Sequence, residues 1–96
     1  MSAYVIVHIE VTDPDGYEAY KPFAAESISL HGGRYLVRGG RSEVLEGGPA
    51  PARVVVLEFP TYEQALAWYH SDEYQAAIPI RKQTADTSLF MIVDGV

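Results

Sequence analysis

The feature that most constrains this chain is a set of strand-like segments that are apolar at successive positions instead of alternate ones. Arg53-Val54-Val55-Val56-Leu57-Glu58-Phe59 runs almost continuously through β-branched and aliphatic residues, and Leu89-Phe90-Met91-Ile92-Val93 does the same near the C-terminus. Side chains alternate sides along a strand, so a run of this kind is expected where both faces of a sheet are covered. In Ala3-Tyr4-Val5-Ile6-Val7-His8-Ile9-Glu10-Val11 the odd positions are all apolar, while the even ones turn polar at His8 and Glu10. A sheet built from these segments needs helices on one side and further cover on the other.

The helices are legible between the strands. Thr12-Asp13-Pro14 supplies a capping side chain followed by a proline pre-set to a helical φ. Tyr17, Tyr20, Ala24 and Ile28 then recur at helical spacing, and His31-Gly32-Gly33 stops the helix with a C-cap glycine. Arg34-Tyr35-Leu36-Val37-Arg38 reads as a second strand and Gly39-Gly40 as a turn or bulge. Arg41 to Leu45 reads as an extension or short return strand, and Glu46 to Pro51 as a loop. Thr61 and Gln64, in capping-box spacing, open a helix with Ala65, Trp68 and Tyr69 on its buried stripe. Ser71 caps a short third helix that holds Tyr74 and Ala77 and is interrupted at Pro79, with room for a turn to resume through Arg81.

The order strand, helix, strand, strand, helix, strand predicts one α+β domain over residues 1–96. Its plan is ferredoxin-like, βαββαβ, with a four-stranded antiparallel sheet and helices on one face. Ninety-six residues make a modest core of their own, yet 48% of them are hydrophobic. A second sheet over the open face, most simply that of an identical subunit, would absorb the excess, so a homodimer is expected.

Three segments carry a family resemblance: Gly32-Gly33-Arg34-Tyr35-Leu36-Val37-Arg38-Gly39-Gly40, Val55-Val56-Leu57-Glu58-Phe59-Pro60, and Trp68-Tyr69 with Ser71-Asp72-Glu73-Tyr74. Together they resemble the domain-of-unknown-function 1330 family, over essentially the whole chain. The resemblance implies the dimeric α+β barrel superfamily, in which two ferredoxin-like subunits pair their sheets face to face. Relatives in that superfamily include cofactor-independent monooxygenases, muconolactone isomerase and haem-dependent dismutases. The family itself has no settled activity, so the resemblance supports the dimer and leaves the chemistry open.

Charge excludes several functions. Thirteen Asp and Glu face seven Lys and Arg, for a net charge of −6. No basic footprint for nucleic acid is present, and an acidic membrane surface would repel the chain. The apolar runs are far too short to span a bilayer. The absence of cysteine rules out disulfides and thiolate metal sites. Met1-Ser2-Ala3-Tyr4 lacks a basic segment followed by an apolar one, and a cytoplasmic protein is expected.

Two constellations could carry chemistry. His8, Arg38 and Glu58, if their side chains converge, offer an imidazole, a guanidinium and a carboxylate for acid–base work on an anionic substrate. By strand parity Arg38 shares a face with Leu36 and Arg34, and Glu58 with Val54 and Val56. The same three residues equally describe a polar network at a dimer interface. The second constellation is aromatic: Tyr35, Trp68, Tyr69 and Tyr74, with Tyr17 and Tyr20 on the first helix, could line a pocket between helices and sheet. Ordinary helix-on-sheet core explains Trp68 and Tyr20 as well. Arg81, with Lys82, offers an anion-binding spot at the mouth of such a pocket, or a solvated helix end. Neither a metal nor a cofactor is expected: His8 and Glu10 have two-ligand spacing but no second histidine nearby. Two functional readings follow. One is a cofactor-independent, oxygenase-like or isomerase-like enzyme acting on a small molecule; the other is a non-catalytic ligand-binding or structural, stress-associated module.

Overall fold

The structure is a computed structural model describing residues 1–96. Strand β1 (Ala3–Val11) alternates buried and half-buried residues, as its apolar odd positions require. Helix α1 (Pro14–Leu30) starts where Asp13 accepts a hydrogen bond from the Gly16 amide and Pro14 occupies the first turn. It buries Tyr17, Tyr20, Ala24, Ser27 and Ile28. It ends as Gly32 takes a φ of +79° and the Gly33 amide turns back onto the Ile28 carbonyl at 2.9 Å.

Strands β2 (Arg34–Arg38) and β3 (Arg53–Phe59) follow. The stretch between them forms no strand, and residues 41–50 are all exposed. The return strand expected over Arg41–Leu45 is therefore absent: Val44 and Leu45 find no apolar surface to pack on and stay in solvent. Helix α2 (Tyr62–His70) is capped by Thr61, and α3 (Asp72–Thr84) by Ser71, whose hydroxyl accepts from the Tyr74 amide.

Helix α3 runs through Pro79 instead of stopping there. Pro79 and Gln75 are both exposed, so the carbonyl that loses its donor, four residues back, is on the wet side where water can satisfy it. The same reasoning covers Pro22 inside α1, which is also exposed. Strand β4 (Ala85–Asp94) begins directly after the helix, four residues earlier than its apolar run suggests.

The four strands form one antiparallel sheet in the order β2-β3-β1-β4. This is the ferredoxin-like arrangement, with β1 and β3 at the centre and all three helices over one face. The molecule measures 33 × 30 × 17 Å, thin enough for two layers and no more. Its core sits between them, around Phe59, Trp68, Tyr74 and Val5. The outer face carries Ile6, Val54, Val56, Leu89, Met91 and Val93, which no element of the chain covers. No helix is long and apolar enough to cross a membrane.

Candidate functional site

The inner face of the sheet is laid out in rows by strand register. Leu57, Val5 and Ile92 form one row, and Val55, Val7 and Phe90 the next. The last row reads Arg53, Ile9, Thr87. The face thus runs from an apolar floor to a basic and polar rim.

Two β-bulges set who stands on that rim. Register along β2–β3 shifts between Tyr35 and Val37, so Leu36 is the extra residue and Arg38 falls opposite Val55. Simple alternation would leave Arg38 on the Arg34 face; the bulge turns it onto the Tyr35 face, where its guanidinium lies 4.4 Å from the Tyr35 ring centre. Register along β1–β4 shifts between His8 and Ile9, with Ser88 as the extra residue. That shift brings Thr87 inward.

A cavity lies between this face, α1 and α3. The centre of a water-sized sphere has about 40 Å³ to move in there, and the whole space, open mouth included, is about 480 Å³. Its walls include Val7, Ile9, Trp68, Tyr74 and Phe90, together with Tyr17, Tyr20 and Tyr35. Its charged members are Lys21, Arg38, Arg53 and Arg81, with no carboxylate among the lining residues. In a chain of net charge −6 this is a marked segregation.

Arg81 dominates the site. It is only 4% exposed, a depth at which a charge normally has an acid beside it. It donates to the Thr87 hydroxyl at 3.0 Å and lies 4.8 Å from the Phe90 ring centre. It has no carboxylate within ion-pair distance, and its Nε is buried without a partner. The solvated-helix-end alternative is therefore wrong: Arg81 falls on the same stripe of α3 as Tyr74, Ala77 and Ile78 and points to the core. Arg53 repeats the pattern, with a buried Nε that meets no acceptor.

Beside Arg81, the hydroxyls of Tyr20 and Tyr74 share a 2.7 Å hydrogen bond. Burial pushes the Tyr74 hydroxyl up to about 12, and burial with the adjacent Tyr74 raises Tyr20 further. Tyr35 is also raised by burial, against the opposing pull of Arg38. All three hydroxyls therefore stay protonated near neutrality, and since Tyr20 and Tyr74 bond to each other, one proton of that pair is left free to donate.

The structure brings Arg38, Tyr35, Trp68, Tyr74 and Arg81 to this one cavity. Trp68 is a core residue as well as a wall: it is 1% exposed and donates to the Ser27 hydroxyl at 3.0 Å. Tyr69 does not line the space; it stands behind it, packed edge-on against Trp68 and Phe90. His8 and Glu58 lie on the opposite side of the sheet, because they fall between the inward residues of β1 and β3. The three-residue convergence of His8, Arg38 and Glu58 does not form. Glu58 pairs instead with Arg34, whose Nε and Nη2 both reach one carboxylate oxygen at 2.7 Å. That hydrogen bond holds the Glu58 carboxyl below its ordinary range.

Sequence reasoning passed over Arg53 as a member of this site, although a cation opening an otherwise apolar strand was a usable signal. The Tyr20–Tyr74 contact had none, since 54 residues separate the two. No group of three or more His, Asp or Glu side chains is arranged to hold a metal ion.

The sequence profile of the family described as Domain of unknown function (DUF1330) matches residues 2–96. No curated protein matches. Among solved structures, a protein of unknown function from Rhodopseudomonas palustris is similar at a TM-score of 0.77 and 16% identity, over 99% of this chain and 82% of that one. A protein from Nitrosomonas europaea, provisionally named an antibiotic biosynthesis monooxygenase, gives a TM-score of 0.57 at 17% identity, over 99% and 90%. A dimeric ferredoxin-like protein of unknown function from Thermobifida fusca also gives 0.57 at 17%, over 97% and 88%. At such identities the likeness is one of fold.

Proposed function

The chain belongs to the DUF1330 family, and from that premise we propose that it is a homodimeric protein that binds a small organic acid in the cavity between its helices and its sheet. The observation that carries this reading is Arg81, 4% exposed, without a carboxylate and with an unpartnered Nε. Burying an unpaired cation costs on the order of several kcal/mol, and the Thr87 hydroxyl and the Phe90 ring offset only part of that, since neither carries a charge. A bound anion supplies the missing charge. One proton of the Tyr20–Tyr74 hydroxyl pair is left to donate from one side, and the apolar walls take the carbon body. Arg81 and Phe90 also border an open groove with Lys82 and Ser88, which gives the acid a way in.

An oxygenase-like or isomerase-like turnover is the finer form of this reading. Arg81 and the one free hydroxyl proton of the Tyr20–Tyr74 pair would stabilise negative charge developing on a substrate oxygen. The provisional name of the Nitrosomonas europaea protein supports the oxygenase class. His8 and Glu58, on the far side of the sheet, have no part in it.

The dimer rests on the uncovered outer face, where Ile6, Val56 and Met91 stand in register across three strands. The Thermobifida fusca protein, described as dimeric, supports the same assembly.

A thermal-shift screen of small carboxylic acids and phenols tests the binding reading. A bound acid raises the melting temperature of the wild type with concentration, and R81M abolishes the shift. A broad panel without a single hit overturns it. Light scattering tests the assembly, and a monomer at micromolar concentration overturns the dimer.

A further inference from the structure

Resting on the acid-binding reading above, we propose that the ligand is a short dicarboxylate held at both ends, one carboxylate by Arg81 and the other by Arg53 with Arg38 beside it. One buried cation calls for one acid. This cavity has a second pole, and the two are far enough apart to need two acids.

The register fixes the spacing of their backbone anchors. Arg53 and Thr87 both lie directly opposite Ile9, one on each neighbouring strand. Two strand spacings put them about 10 Å apart. Arg81 is anchored at the Thr87 end by its bond to the hydroxyl. The guanidinium of Arg53 is held at the other end, against Gly39. Gly39 has a φ of +73°, and a Cβ there would collide with that guanidinium, so a side chain at 39 would displace it. The Leu36 bulge turns Arg38 to the same corner. Both poles have a buried Nε without an acceptor, and no carboxylate lines the space between them.

The middle of the span is apolar, with Ile9 flanked by Val7, Val55 and Phe90. A chain of methylenes suits that floor. Two charge-assisted hydrogen bonds of about 2.8 Å each take up part of the separation and leave room for a short carbon chain. A monoacid would satisfy one pole and leave the Arg53 Nε at the other without an acceptor.

Isothermal titration calorimetry with glutarate and valerate, which share a chain length and differ by one carboxylate, is the test. The wild type should bind glutarate about tenfold or more tighter than valerate. R53Q should bring the ratio close to one, and R53K, which keeps the charge but loses the fork, should restore part of it. R81M should weaken both acids. Near-UV circular dichroism of each variant separates lost recognition from lost fold. Equal affinities in the wild type, or a folded R53Q that keeps the preference, overturn the dicarboxylate while leaving acid binding in place. If the wild type binds neither acid at millimolar concentration and the acid screen is also empty, both readings fall.

Discussion

Arg34 and Arg81 stand on opposite sides of one sheet, and their circumstances are inverted. Arg34 is exposed, where water would solvate it well, yet it holds a carboxylate at 2.7 Å. Arg81 is 4% exposed, where solvation is lost, and has none. Stability alone would arrange them the other way round, because an exposed ion pair contributes little and a buried lone charge costs a great deal. The outer face therefore looks finished in its charges and unfinished in its apolar surface. The inner face is finished in its packing and unfinished in its charges. Each deficit names what is missing: a second sheet outside, an anion inside.

The contrast can be broken from either side. The largest effect is expected from W68A, which removes the ring at the centre of the inner packing, 4.2 Å from Tyr74 and stacked at 6.1 Å on Phe90. It should cost about 3–5 kcal/mol in urea unfolding. A smaller loss would mean that the cavity collapses around the gap. On the outer face, V56D puts a charge in the middle of the proposed interface, and the dimer should weaken about a hundredfold or more in analytical ultracentrifugation. Unchanged dimerisation would assign the contact to another surface.

R81M sharpens the comparison most. Replacing a buried unpaired cation by the uncharged, shorter thioether of methionine should leave stability unchanged or raise it by about 1 kcal/mol, while acid binding is lost. A large destabilisation would make Arg81 a structural residue. Y74F removes the hydrogen bond to Tyr20 and should cost about 1 kcal/mol. It should also remove Tyr74's share of the alkaline loss of stability, leaving the shares of Tyr20 and Tyr35. Because burial raises Tyr74 from 10.0 to about 12, the folded state keeps a proton that the unfolded chain releases. Stability is thus fully present below pH 10 and declines as pH rises towards 12. The smallest effect is on the outer face. Arg34 lowers the Glu58 carboxyl from its ordinary 4.5, so its contribution is present above that value and lost as pH falls below it. E58Q should remove this shallow acid limb and little else, as read from melting temperature against pH.

Much of the fold was legible because its signals are local. The caps at Asp13, Thr61 and Ser71, the 3.6-residue spacing of Tyr17, Tyr20, Ala24 and Ile28, and the glycine stop at Gly32 each act within one turn of helix. The site was legible only in its ingredients. Arg38, Tyr35, Tyr74 and Arg81 were recognisable as candidates, but Arg38 joins the others through one bulge and Thr87 meets Arg81 through a second, and both reset strand parity. Parity also assigned His8, Arg38 and Glu58 to one constellation, which a single extra residue at Leu36 undoes. Pro79 misled for a related reason: its cost depends on whether the freed carbonyl meets water, and that is a property of the packed helix.

The sequence by itself determined the element order, the helix starts and the excess of apolar surface on the strands, because these follow from neighbours a few residues apart. It also contained the excess of acid that makes a basic cavity notable. Only the tertiary structure decided where the charges stand. Arginines from β2, β3 and α3 meet without a carboxylate because strand register, two bulges and the roll of one helix bring together residues as far apart as 38 and 81. A guanidinium at the end of a flexible side chain reads the same on paper whether it faces water or a cavity; packing alone separates the two.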